Sequence, residues 1–246
     1  MADQLSLRLE ADQLPDLPDL RPMLARPLPA PFDSDEHLFE PSWGGERALV
    51  SIGPADVAGG GDVRIRDANG RDVTAVLPEL SGLAVRVAAR SALLDGELVV
   101  VDGAGRADAG ELARRLAGEA GRPVAFLAFD LLHLDGRTLI SQPLVRRREA
   151  LRRVLRPGDE VVAVPAIATE GIALFEAVVA QGVAGILARQ RQSPYLPGMR
   201  SRLWRYIAAA QGPMMGEVDP GDVAAAATAA APILALISRL PFEDEA

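Results

Sequence analysis

The side chains best placed for chemistry begin in "FEPSWGGERALV", residues 39–50. Glu40 and Ser42 stand two apart, so on a strand they share a face and set a carboxylate beside a hydroxyl. That pairing invites a hydrolytic or phosphoseryl reading. A serine nucleophile needs a strong, well-placed base and an oxyanion stabiliser, however, and nothing around Ser42 marks either. Arg47 follows on the same stretch, after the pair Gly44-Gly45. Further along, "SALLDGELVVVD" brings Glu97, "RPVAFLAFDLLHLDGRTL" brings Phe129, "GILARQ" brings Arg189, and "GMRSRLW" brings Arg200 and Arg202. These supply one buried-type carboxylate, one aromatic face and three cations able to meet phosphate.

Positioning them requires sheets. "HLFEPS" and "RALVSIG" read as strands, and "DVRIRDANGRDVT" as a strand leading into an Asn69-Gly70 turn. The apolar runs around Glu97 and Phe129 read as buried strands, the second ending in an Asp135-Gly136 turn. "GILARQ" and "SRLWRYI" close the set. Helices are expected over "TAVLPELSGLAVRVAA", opened by Thr74, over the arginine-rich "PLVRRREALRRVL" as a charged, solvated face, and over "GIALFEAVVAQG", ending at Gly182. Tyr195, Pro197 and Gly198 read as a turn, His133 as structural. "AGGGD" at 58–62 is a hairpin tip, lacking the lysine and following helix of a phosphate loop.

Composition bounds the function. The 246 residues contain no cysteine and two histidines, which excludes disulfides and thiolate or histidine-rich metal sites. They also contain no lysine, so all 26 basic residues are arginines. A net charge of −8 argues against a surface that binds nucleic acid all over. The charge is uneven: residues 141–206 hold eleven arginines and five acidic residues, a net of +6 that leaves −14 for the rest. The polar, acidic start has no basic n-region followed by an apolar core, so a cytoplasmic protein is expected. Near the C-terminus, "VAAAATAAAPILALISRL" is too short, and too broken by Pro232, for a membrane span, and reads as a docking helix.

Several of these stretches, in this order, resemble the motifs of ATP-dependent DNA ligases. "FEPSWGGERAL" is similar to the nucleotide-binding motif E-x-K-x-D-G-x-R. "LLDGELVV" and "FLAFDLLHLDG" resemble the next two motifs, and "QPLVRRREAL" the helix P-L-x-x-R-R-x-x-L. "GVAGILARQRQSPYLPGMRSRLW" resembles the bacterial end-joining type, E-G-x-V-x-K-R-x-x-S-x-Y-x-P-G-x-R-S-x-x-W. The resemblance covers about residues 20–207. It implies an α+β fold, antiparallel sheets flanked by helices around a cleft, as in a ligase-type nucleotidyltransferase (adenylation) domain. By position it divides the chain into an acidic lead-in at 1–20, the adenylation domain at 21–210, and an Ala-rich tail at 211–246 with no oligonucleotide-binding barrel.

In such a domain a lysine amine attacks the α-phosphate of ATP, and further lysines and Mg2+ neutralise the triphosphate. The resemblance makes Glu40 and Phe129 readers of adenine, places Arg47 near ribose or DNA, makes Glu97 a ribose or metal carboxylate, and lets Arg189 keep the charge of a lost lysine. Ser42 takes the place of the nucleophile, Gly44 of an aspartate and Ala184 of a glutamate. Tyr206 and Ala208 stand where W-x-K-x-K has its two lysines. The expectation is therefore a pseudo-ligase unable to form Lys–AMP, with ATP or another adenine nucleotide, DNA or a DNA-repair protein as candidate partners and no membrane role. The alternatives are an enzyme using non-lysine chemistry or a pre-adenylated substrate, and a nucleotide-free interaction module.

Overall fold

A computed structural model describes residues 17–55, 61–103 and 106–209. The expectations for the acidic start up to residue 16, most of the "AGGGD" tip and the Ala-rich tail lie outside the described residues. The eleven strands are β1 (Leu24–Pro27), β2 (Ser34–Ser42), β3 (Glu46–Ala55), β4 (Gly61–Asp67), β5 (Ala92–Val99), β6 (Ala125–Leu134), β7 (Arg137–Thr138), β8 (Val161–Ala163), β9 (Ile167–Thr169), β10 (Gly185–Gln190) and β11 (Arg200–Ala208). Three α-helices accompany them: α1 (Ala109–Leu116), α2 (Leu144–Val154) and α3 (Gly171–Ala180).

The strands form two sheets. The first has the order β1-β11-β10-β2-β9, the second β4-β3-β5-β6-β7 with β8 added against β6. All pairs are antiparallel except β1 with β11 and β6 with β8. β4 alternates as a strand with one buried face should, Val63 and Ile65 inward between exposed neighbours. β5 is buried at every position, the signature of a central strand covered on both sides. Its Asp95-Gly96-Glu97 interruption is a packing device. Asp95 and Glu97 share the face turned away from the main core, while a Cβ on Gly96 would meet the Phe126 ring at 2.4 Å. The opposite face of the second sheet, with Val50, Ile65, Leu94 and Phe126, builds the larger apolar core. Helix α3 contributes Leu174 and Val178 to a second core with Phe39, Ile186 and Ile207 of the first sheet.

Two helical expectations need correcting. Residues 74–86 form two 3-10 helices, Thr74–Val76 and Pro78–Arg86, and no α-helix. Pro78 has no N–H to give an i−4 bond. A three-residue turn also stacks Leu77, Leu80 and Leu83 on one side, and all three are buried. The arginines of α2 are not one solvated face either. Arg147 and Arg148 are buried, and only the flanking Arg146, Arg152 and Arg153 reach solvent. Among the described residues, no helix is long and apolar enough to cross a membrane.

Candidate functional site

The candidate site lies where β2, β10 and β11 of the first sheet face β3, β5 and β6 of the second, the place the resemblance assigns to the cleft. Register places Arg189 opposite Leu38 and Trp204, Leu187 opposite Glu40 and Tyr206, and Gly185 opposite Ser42 and Ala208. Residues two apart share a face, so Glu40, Ser42, Arg189, Trp204 and Tyr206 all look the same way. From the other sheet, Arg47, Glu97 and Phe129 meet them. The sequence thus brings six of its candidates into one region: Glu40, Ser42, Arg47, Glu97, Phe129 and Arg189. Arg200 and Arg202 stand outside it.

The charged members are already engaged. Glu40 is fully buried and ion-paired with Arg148, whose guanidinium also donates to the carbonyls of Phe129 at 3.0 Å and Val164 at 2.6 Å. Arg189 lies 3.1 Å from the other Glu40 oxygen, at an angle that makes an ion pair but no hydrogen bond. Its guanidinium sits 3.9 Å over the Phe129 ring and 4.5 Å from that of Trp204. Burial, reinforced by the nearby positive charges of Arg47 and Arg148, lowers its pKa to about 10, still high enough to keep the charge at neutral pH.

Arg47 grips Asp95 through two 2.6 Å bonds and donates to the Met23 carbonyl at 3.2 Å. Burial works against its charge, but the Asp95 carboxylate prevails and raises its pKa. Tyr195, expected only as part of a turn, donates its hydroxyl to Asp95 at 2.7 Å and accepts from the Met23 N–H at 2.9 Å. Arg47 therefore anchors a buried network instead of standing free in the cleft. Glu97 is likewise spent on the chain itself. Its carboxylate accepts the N–H of Gly45 at 2.5 Å and of Trp43 at 3.4 Å, pinning the β2–β3 loop. Burial raises its pKa above the usual carboxylate range.

At the other end of the cleft the substituted positions adjoin one another. Gly44 holds φ +76, and a Cβ there would lie 2.9 Å from the Ala184 Cβ, so the two places where the motif has acids touch. Ser42 pairs with Gly185, next to Ala184, and its hydroxyl makes no hydrogen bond among the described residues. Tyr206 closes the region by donating to the Ala184 carbonyl at 3.2 Å; burial raises its pKa and keeps that proton in place. Among the described residues no base is hydrogen-bonded to Ser42, and Glu40 is held by two arginines. No group of three or more His, Cys, Asp or Glu side chains able to hold a metal ion occurs among the described residues. Ser42, Gly44, Ala184, Tyr206 and Ala208 present no charged side chain to a triphosphate or its magnesium.

Arg200 donates to the Ala25 carbonyl at 2.7 Å. Arg202 lines an open hollow on the first sheet with Leu28, Phe32, His37, Gln190 and Arg205. Arg26, Arg202 and Arg205 have no ion pair or hydrogen bond among the described residues. Sequence reasoning missed Arg148, Asp95, Tyr195 and Trp204 as partners of the cleft. The adjacent pair Arg147-Arg148 in the helix pattern was the available signal.

Two facing sheets, with the ligase-like motifs on β2, β5, β6, β10 and β11, define the nucleotidyltransferase class of adenylation domains. The family model for the ATP dependent DNA ligase domain matches residues 22–206. The chain belongs to that family. It is 36% identical over 187 residues to the multifunctional non-homologous end joining DNA repair protein LigD of Mycobacterium tuberculosis, covering 76% of this chain and 23% of that protein. DNA ligase C1 of Mycolicibacterium smegmatis is 33% identical over 208 residues, with 76% and 56% covered. A solved mycobacterial DNA ligase D complexed with ATP and MES superposes with a TM-score of 0.66 at 33% identity, over 77% of this chain and 60% of that one. The chain thus spans from 23% to 60% of the length of these relatives.

Proposed function

We propose that this chain is a ligase domain that performs no nucleotidyl transfer and serves as a binding module in a cytoplasmic, end-joining DNA-repair setting. The observation that carries the reading is the continuous patch of Ser42, Gly44, Ala184, Tyr206 and Ala208. It replaces the nucleophile, two acids and two lysines of the motifs at one end of the cleft. Phosphoryl transfer is positioning plus neutralisation of developing charge, and this end supplies neither. A Lys–AMP bond has no acceptor in a chain without lysine.

DNA is the partner that the unpaired cations favour. Arg202 and Arg205 leave their charge uncommitted in an open hollow that they line with Leu28, Phe32, His37 and Gln190, which suits phosphate contacts. Gel retardation with a nicked duplex whose 5′-phosphate is pre-adenylated tests the binding and the chemistry together. The duplex is expected to be retarded and left unsealed, and Arg202→Glu with Arg205→Glu to weaken retention about tenfold. A sealed product would instead favour an enzyme that uses pre-adenylated ends. Absence of retardation would remove DNA as the partner and leave a repair protein.

A further inference from the structure

Arg189 stands where the motif has a lysine, yet a motif cation alone does not account for how it is held. It is fully buried, and none of its three side-chain nitrogens has a hydrogen-bond partner among the described residues. One oxygen of Glu40, 3.1 Å away, is likewise without a hydrogen bond. A guanidinium in the interior ordinarily satisfies most of its five N–H groups, and leaving them unmade is expensive. Arg147 and Arg148, close by, show the usual solution, each donating to backbone carbonyls as well as to a carboxylate. Arg189 is held by its flat face against Phe129 and Trp204, at 3.9 and 4.5 Å, and by the charge of Glu40.

A planar π face against an aromatic ring, with N–H groups at its edge beside a carboxylate, is the set of surfaces that an amino-purine presents. We propose that Arg189 is an intramolecular stand-in for a purine base, a plug that fills the slot between Phe129 and Glu40 and must leave before a nucleotide can enter. This rests on reading the cleft as a ligase adenylation cleft. The plug lowers the apparent affinity for a nucleotide by the fraction of molecules in which Arg189 is displaced. Shortening residue 189 removes that cost, and refilling the slot with an uncharged chain restores it.

The test uses AMP, which has no pyrophosphate to lose and cannot adenylate the protein. Calorimetric titration of the full chain is compared with Arg189→Ala, which empties the slot, and Arg189→Met, which refills it; thermal melts establish that each variant is folded. Arg189→Ala is expected to bind AMP at least about tenfold more tightly than the parent, and Arg189→Met no more tightly. Folded variants with Arg189→Ala no tighter than the parent would overturn the proposal. If neither variant folds, proton–nitrogen NMR of the unaltered chain decides. The Arg189 Nε–H resonance is expected shifted upfield by the two rings in the absence of ligand, and an ordinary position would contradict the plug. Covalent AMP formed from ATP would refute the inactivity of the cleft without touching this result. AMP affinity indifferent to residue 189 would refute the plug alone.

Discussion

Arg147→Ala is expected to cost about 3–5 kcal/mol of stability, because it leaves the Asp130 carboxylate buried without its counter-charge. Both side chains are wholly enclosed, and their fork is closed by two 2.8 Å bonds. Arg147 also donates to the carbonyls of Gln142 at 2.6 Å and Ser193 at 3.0 Å, tying the start of α2 to the segment entering β11. The pair itself contributes far less than its rupture costs, since both charges had to be desolvated. Replacing both partners, Arg147→Met with Asp130→Leu, should therefore recover most of the loss. Urea denaturation of the single and double variants measures both effects, and a single variant within about 1 kcal/mol of the parent would contradict the account.

Ser42→Lys is expected to fold and yet join no nicks. The substitution returns an amine to the strand position of the nucleophile but none of the groups that make it act. The places of the two motif acids are Gly44 and Ala184, and they touch, so carboxylates cannot simply be put back. Gly44 at φ +76 would strain any side chain by about 1–2 kcal/mol, and its Cβ would press the Ala184 Cβ at 2.9 Å. Tyr206 is bonded to the Ala184 carbonyl, and Ala208 offers no cation. A lysine here has no charge to hold the triphosphate in line and no partner to stabilise the leaving pyrophosphate. Gel assay of a labelled nick should show no product above the parent protein, and robust joining by this single variant would contradict the reading.

How much of this was legible in the sequence depended on the scale of the interaction. The strands carrying Glu40, Glu97, Phe129 and Arg189 were readable from apolar runs and turn pairs, because alternation and burial are local patterns. The 3-10 form of residues 74–86 was less visible, since a leucine every third residue also suits an α-helix until Pro78 is weighed. Helix α1 had no counterpart in the expectations, although Asp108 to Glu111 spells a capping pattern and Asp108 does accept from the Glu111 N–H at 2.9 Å. Side-chain partnerships across the cleft were the least legible. Arg148 meets Glu40 across 108 residues, and Tyr195 meets Asp95 across 100. No local spacing encodes such contacts. Motif comparison identified the positions that had changed, but only the fold shows that Ser42, Gly44 and Ala184 adjoin, and that Arg189 fills the far end of the same cleft.

The central claim is that this ligase domain cannot carry a nucleotidyl group. Intact mass spectrometry of the full chain after prolonged incubation with ATP and Mg2+ tests it most directly. The account predicts a single species at the unmodified mass, and a population heavier by one AMP would contradict it.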